Sequence, residues 1–221
     1  MAAAALTIYL LGLTLAFGWR SIVQWRRTGD TGLRLDAGPV GTLRWWAKLL
    51  FVVALLLGAA GPIAAIAGLP ALDAFDHPVT RGAGLILAVA GVLTTLVSQL
   101  HMGTSWRIGV DPGEHTDLVT TRVFALARNP IFTAMTATSL GITLMAPNVV
   151  SVAATAILVM SIQLQVRAVE EPYLTRVHGA AYTTYTARTG RFLPGIGRLT
   201  APAGTAPRDR ETGTQNNTPH P

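Results

Sequence analysis

Five runs of apolar residues organise the chain, at about 2–19, 46–69, 82–102, 130–146 and 149–167, with short polar segments between them. A helix rises about 1.5 Å per residue, so most of these runs are long enough to cross a hydrocarbon layer roughly 30 Å thick. The pattern predicts an all-α integral membrane protein with about five transmembrane helices. Trp45 and Trp46 open the second run, where paired indoles suit a membrane–water interface. Only Pro147 and Asn148 separate the fourth and fifth runs, which predicts a tight C-terminal helical hairpin. The fourth run is short for a span, so it is expected to tilt or to lie partly buried in protein. Gly58, Gly61, Gly84 and Gly91 fall inside spans, where close helix packing accounts for them.

Charge turns this pattern into a topology. The segment 19–48 carries Arg20, Arg26, Arg27, Arg34, Arg44 and Lys48; the segment 101–129 carries Arg107, Arg122 and Arg128; seven more basic residues follow position 166. Arg81 is the one basic residue in the loop between the second and third runs, and the Pro147–Asn148 turn has none. If all five runs span, 16 of the 17 Lys and Arg residues lie on one side, as cytoplasmic loops require. The expectation is an N-terminus outside and a C-terminus in the cytoplasm, in a plasma (inner) membrane. Positive charge follows the first run and does not precede it, unlike a secretory signal, so that run reads as a retained helix.

Composition narrows the chemistry. Half of the 221 residues are hydrophobic and 13% are charged, which excludes an ordinary soluble domain. The net charge of +6 is explained by topology and calls for no nucleic-acid partner. The absence of cysteine excludes thiolate metal sites and cysteine nucleophiles, and the scattered histidines form no metal motif, so no metal site is expected. Sixteen arginines against one lysine, with abundant Ala and Gly, fit a high-GC bacterial source. The segment 200–221 is rich in Pro, Thr, Gly and Asn and is expected to be a disordered tail, leaving residues 1–199 as one membrane domain.

Two stretches are too polar for a simple scaffold. In the first, Ser105 to Phe132, Arg128-Asn129-Pro130 stands at the entrance of the fourth run. Asn129 fits an N-cap and Pro130 the first helical position. The helix start either is simply capped, beside an interfacial arginine, or offers its N–H groups to an anionic ligand. In the second stretch, Gln163 to Pro194, Gln163, Arg167, Glu170 and Glu171 share one face at ordinary helical spacing. Tyr182, Tyr185, Arg188 and Arg191 follow. Either this is an amphipathic helix on the cytoplasmic face or the two carboxylates form a cation site. Thr133, Thr136, Ser139 and Thr143 are expected to bond backbone or neighbouring helices.

Taken together, the stretches LVTTRVFALARNPIFTA (118–134) and EEPYLTRVHGAAYTTYTARTGRFLP (170–194) resemble the isoprenylcysteine carboxyl methyltransferase family, which is related to phospholipid N-methyltransferases. Motif order, hairpin length and spacing match over roughly residues 100–195. The resemblance implies a membrane methyltransferase that uses S-adenosylmethionine and takes a lipophilic small molecule from the membrane; the alternatives are a phospholipid N-methyltransferase-like enzyme with an amine headgroup as acceptor, or a non-catalytic membrane scaffold or transporter subunit that kept the fold. It implies cofactor contacts at Leu118, Val119, Phe124, Arg128, Asn129, Pro130, Ile131, Phe132, Glu170, Tyr182 and Tyr185. It also implies catalytic or substrate-contacting roles for Arg167, Glu171 and Arg188. The chain departs from the family pattern where the usual histidine is Asn129, two usual tyrosines are Phe124 and Phe132, and a flexible glycine is Arg122.

Overall fold

The computed structural model describes residues 1–33, 36–106 and 117–199, and among these the chain is all-helical. The expected tail at 200–221 and the 107–116 part of the first polar stretch lie outside the described residues. The first helix runs continuously as α1 (Ala2–Leu13), a π-helical turn (Thr14–Trp19) and α2 (Arg20–Thr28). Then come α3 (Leu43–Ile66), α4 (Pro78–His101), the short α5 (Val123–Leu126), α6 (Pro130–Met145) and α7 (Val149–Leu164). A second π-helical turn (Gln165–Glu170) leads from α7 into α8 (Glu171–Arg188).

Among the described residues, four helices are long and apolar enough to cross a membrane: Ala2–Thr28, Leu43–Ile66, Pro78–His101 and the helix beginning at Val149. The fourth expected span, α6, is shorter, with 16 residues. At about 24 Å it falls short of the hydrocarbon thickness. It is accordingly sheltered in protein, lying against α4, α7 and α1.

Polar and small residues share the interior of the bundle with two apolar clusters, while its outside is apolar. Val52, Leu56, Ile63, Ile86, Val89, Leu93 and Val97 point outward, while Thr95, Ser98, Gln99, Thr143, Ser151 and Ser161 are buried. A water-soluble core would have the reverse arrangement; lipid as the outer solvent accounts for this one. Neighbouring helices approach through the glycines singled out in the sequence. A Cβ on Gly91 would meet the Thr138 nitrogen at 2.7 Å, and one on Gly84 the Gly141 oxygen at 2.8 Å. Gly58 faces the Tyr9 ring and Gly61 faces Ser151 in the same way.

These contacts also fix direction. Pairing of Gly61 with Ser151 and of Ala47 with Ser161 makes α3 and α7 antiparallel. Gly84 with Gly141 and Gly91 with Ala134 do the same for α4 and α6. Tyr9 donates to the Leu55 carbonyl near the far end, and Phe17 meets Phe51 near the other. All five helices therefore alternate. The turn at Pro147 and Asn148 closes one end, where Asn148 caps α7 through Val150 and Ser151 N–H and also donates to Gly61 O. The opposite end gathers α2, the exit of α4, the entrance of α6 and all of α8. The span hydroxyls do what was expected: Thr136 bonds Phe132 O, Ser139 and Thr143 both bond Thr155, and Thr143 also reaches Ser151 O.

Candidate active site

A cavity of about 280 Å³ occupies that polar end of the bundle. Both sequence stretches line it. From the first come Leu118, Val119, Phe124, Arg128, Asn129, Ile131 and Phe132; from the second come Glu170, Glu171, Tyr182 and Tyr185. Pro130 sits buried at the first position of α6, as the sequence suggested, but it is not part of the wall.

The C-terminal segment holds the entrance of α6 in place. Backbone N–H groups of Arg128 and Asn129 donate to the carbonyls of Gly190 and Arg191 at 2.9 and 3.1 Å. Asn129 therefore does not cap its helix with its side chain. Its Nδ2 donates outward to Arg191 O at 3.0 Å, and the cap role read from sequence gives way to a loop clasp. Thr133 adds a bond to Phe192 O. Gly190 is required here, since any Cβ would run into the carbonyl oxygens of Leu193 and Ile196.

Glu171 is the electrostatic hub. Its Oε1 accepts from Arg128 Nη2 at 2.8 Å and Arg191 Nε at 2.7 Å, and its Oε2 accepts from Arg191 Nη2 at 2.9 Å. Burial lowers the affinity of the Arg128 guanidinium for its proton, and Glu171 opposes that shift. Hydrogen bonding to Glu171 raises Arg191 in the opposite sense. Arg128 Nε and Nη1 are buried with no partner. Glu170 is arranged differently: its Oε1 accepts from the neutral Gln165 Nε2 at 3.1 Å, and among the described residues it makes no ion pair. The adjacent carboxylates thus differ: one is neutralised by two arginines, and the other has no cation beside it and has its pKa pushed up to about 7 by burial.

The second π-helical turn produces this difference. Glu171 N–H bonds Val166 O, five residues back, so the helix widens and its faces rotate. Glu170 swings onto Gln165, into the cavity wall, while Arg167 turns outward, exposed, with its Nε on Gln163 Oε1 at 2.8 Å. The shared face of Arg167 and Glu170 read from regular helical spacing is therefore not formed. Arg188, also exposed, lies outside the cavity wall; the arginine that reaches Glu171 is Arg191. Spacing from the paired tyrosines favoured Arg188, and only the turn at Gly190 brings Arg191 back.

Tyr185 donates to Phe124 O at 2.5 Å, pinning α8 over α5, and Tyr182 is buried beside it. The α8 segment is thus a roof more than a surface helix, bent at Gly179 (φ 50°, ψ −122°). Arg122 adopts nearly the same left-handed geometry, φ 57° and ψ −126°, where the resemblance has a glycine. Among the remaining wall residues, Phe17, Lys48, Phe51 and Gln99 were not anticipated. They come from spans and loops without a motif, although a glutamine inside an apolar run was a visible signal.

Residues 79–181 match the family model described as phospholipid methyltransferase. No curated protein matches the chain significantly. The matched interval opens at the start of α4, contains the Arg128–Phe132 entrance, the hairpin and the Glu170–Glu171 pair, and ends within α8. Over residues 79–181, just under half of its length, the chain thus matches the phospholipid methyltransferase family, a family of membrane methyltransferases.

Proposed function

We propose that this protein is an S-adenosylmethionine-dependent methyltransferase that acts on a lipophilic small molecule drawn from the membrane. The observation that carries the reading is the single cavity in which both motif stretches meet, with an ion-pair-free Glu170 and unpartnered donors on Arg128. The donor set fits the cofactor: Glu170 would hold an ammonium, and Arg128 Nε and Nη1 would receive a carboxylate. Phe124, Phe132 and the neighbouring apolar wall suit a nucleoside and exclude water. When bound, S-adenosylmethionine supplies an electrophilic methyl group on a sulfonium. The chain's residues then bind, orient and desolvate; no strong acid or base is required, because charge disperses during such a displacement. Glu171 acts as a positioning residue that fixes Arg128. The exposed placement of Arg167 and Arg188 argues for no contact with the reacting atoms.

The cavity end is assigned to the cytoplasm and the Pro147–Asn148 end to the outside, on the distribution of basic residues. A second reading, an amine headgroup as acceptor, is favoured by the description of the matching family. Calorimetric titration of S-adenosylmethionine into the purified, detergent-solubilised chain tests the cofactor assignment. Saturable binding that Glu170→Ala weakens at least roughly ten-fold is expected, the loss of one charge-assisted contact. No binding by the wild type would overturn it.

A further inference from the structure

We propose that Gln99 is a ligand-binding residue whose Oε1 accepts a hydrogen bond from a hydroxyl or amine on the methyl acceptor. The inference rests on the methyltransferase reading only for the word acceptor; the contact itself follows from the wall of the cavity.

Gln99 lies in the last turn of α4 and is 3% exposed. It lines the cavity, whose wall also includes the apolar Phe17, Phe51, Met102 and Trp106. One arm of its amide is committed. In an ordinary α-helix the Ala16 carbonyl would receive the Arg20 N–H, but in the first π-helical turn that N–H goes to Leu15 O and Phe17 O. Ala16 O does not receive that N–H, and Gln99 Nε2 donates to it at 3.1 Å. That bond fixes which arm is which: the donor is turned to α1, and Oε1 is the arm that remains. Oε1 is buried and has no partner among the described residues.

A buried amide oxygen without a donor is unfavourable, and the clasp on Ala16 needs only a donor. A side chain that brings an acceptor as well is explained by a ligand that supplies an N–H or O–H. Arg128, in the same wall, presents the opposite character, unpartnered donors. The wall thus carries unpartnered donors at Arg128 and an unpartnered neutral acceptor at Gln99, besides the carboxylates of Asp117, Glu170 and Glu171. An ionised carboxylate cannot satisfy Gln99. An amphiphile with a hydroxyl or amine head can, while its chain lies along Phe17 and Met135. These two residues also border a second, smaller cavity lined by Gly12, Ala16, Gly58 and Leu158. The two π-helical turns lie on two sides of the larger cavity, one releasing the carbonyl that orients Gln99 and the other turning Glu170 inward.

The test uses the full chain in lipid nanodiscs and two probes with the same alkyl chain, dodecanol and its methyl ether, titrated by calorimetry without cofactor. Partition into the bilayer is common to all variants and cancels in the comparison. The wild type is expected to prefer dodecanol over the ether by roughly ten-fold more than Gln99→Leu does, the worth of one buried hydrogen bond. Gln99→Met, which matches the length of glutamine, serves if the leucine variant folds poorly, and it should lose the preference equally. An equal preference in wild type and variants, or no binding of either probe, overturns the inference. So does a variant that keeps the dodecanol preference but loses affinity for S-adenosylmethionine, since Gln99 would then serve the cofactor. Because the probe titration uses no cofactor, its outcome is separable from failure of the cofactor assignment.

Discussion

Replacing Glu171 with alanine should be the most destabilising single change at the polar end of the bundle. The carboxylate accepts three short bonds from two arginines, and the side chains of Glu171, Arg128 and Arg191 are only 12%, 2% and 13% exposed. Removing the anion leaves Arg128 buried, with Nε and Nη1 already lacking partners. Breaking a buried pair in this way costs about 3–5 kcal/mol. Arg191→Ala removes two of the bonds but leaves Glu171 paired with Arg128, so it should cost only about 1–2 kcal/mol. Adding Arg128→Met to Glu171→Ala should restore part of the loss, because the stranded charge goes with it. Unfolding of the detergent-solubilised chain by sodium dodecyl sulfate, followed by tryptophan fluorescence, measures all three. A cost near or below about 1 kcal/mol for Glu171→Ala, or an equal cost for Arg191→Ala, would refute the reasoning that Arg128 depends on Glu171.

Other substitutions probe the fold around the site. Arg122→Gly should stabilise the chain by about 1 kcal/mol, because it relieves a left-handed backbone that a side-chain-bearing residue resists; a drop in melting temperature would contradict this. Gly91→Leu should cost about 1–3 kcal/mol, since the new side chain meets the backbone of Thr138 and Ala134, which cannot yield; the same unfolding titration reads it. Tyr185→Phe should cost about 1 kcal/mol and speed amide hydrogen exchange in Val123–Leu126, because the hydroxyl that ties α8 to Phe124 O is gone.

Much of this architecture was legible in the sequence because it depends on local composition. Apolar runs mark the helices, Pro147–Asn148 marks the hairpin, and the basic residues give the alternation that the helix directions reproduce. Span glycines could be read as packing sites since nothing else tolerates such approach. What could not be read were departures from regular geometry. Periodicity of 3.6 residues assigns Arg167 and Glu170 to one face, and a single π-helical turn undoes it. Nor does a sequence reveal that Thr189–Leu199 folds back, which decides between Arg188 and Arg191 as the partner of Glu171 and takes Asn129 away from its cap. The wall from α1, α3 and α4 was missed for a different reason: Phe17, Phe51 and Gln99 carry no motif, and only tertiary packing brings them to the site.

The central claim is that the cavity, with Glu170 inside it and Arg167 outside, is where a membrane-derived acceptor is methylated. Transfer of labelled methyl from S-adenosylmethionine into an organic-extractable product, with native membrane lipid extract as acceptor source, tests this most directly. Wild type and Arg167→Ala should both label such a product, while Glu170→Ala should fall by at least roughly ten-fold. No label with the wild type, or a loss with Arg167→Ala as deep as with Glu170→Ala, would contradict the account.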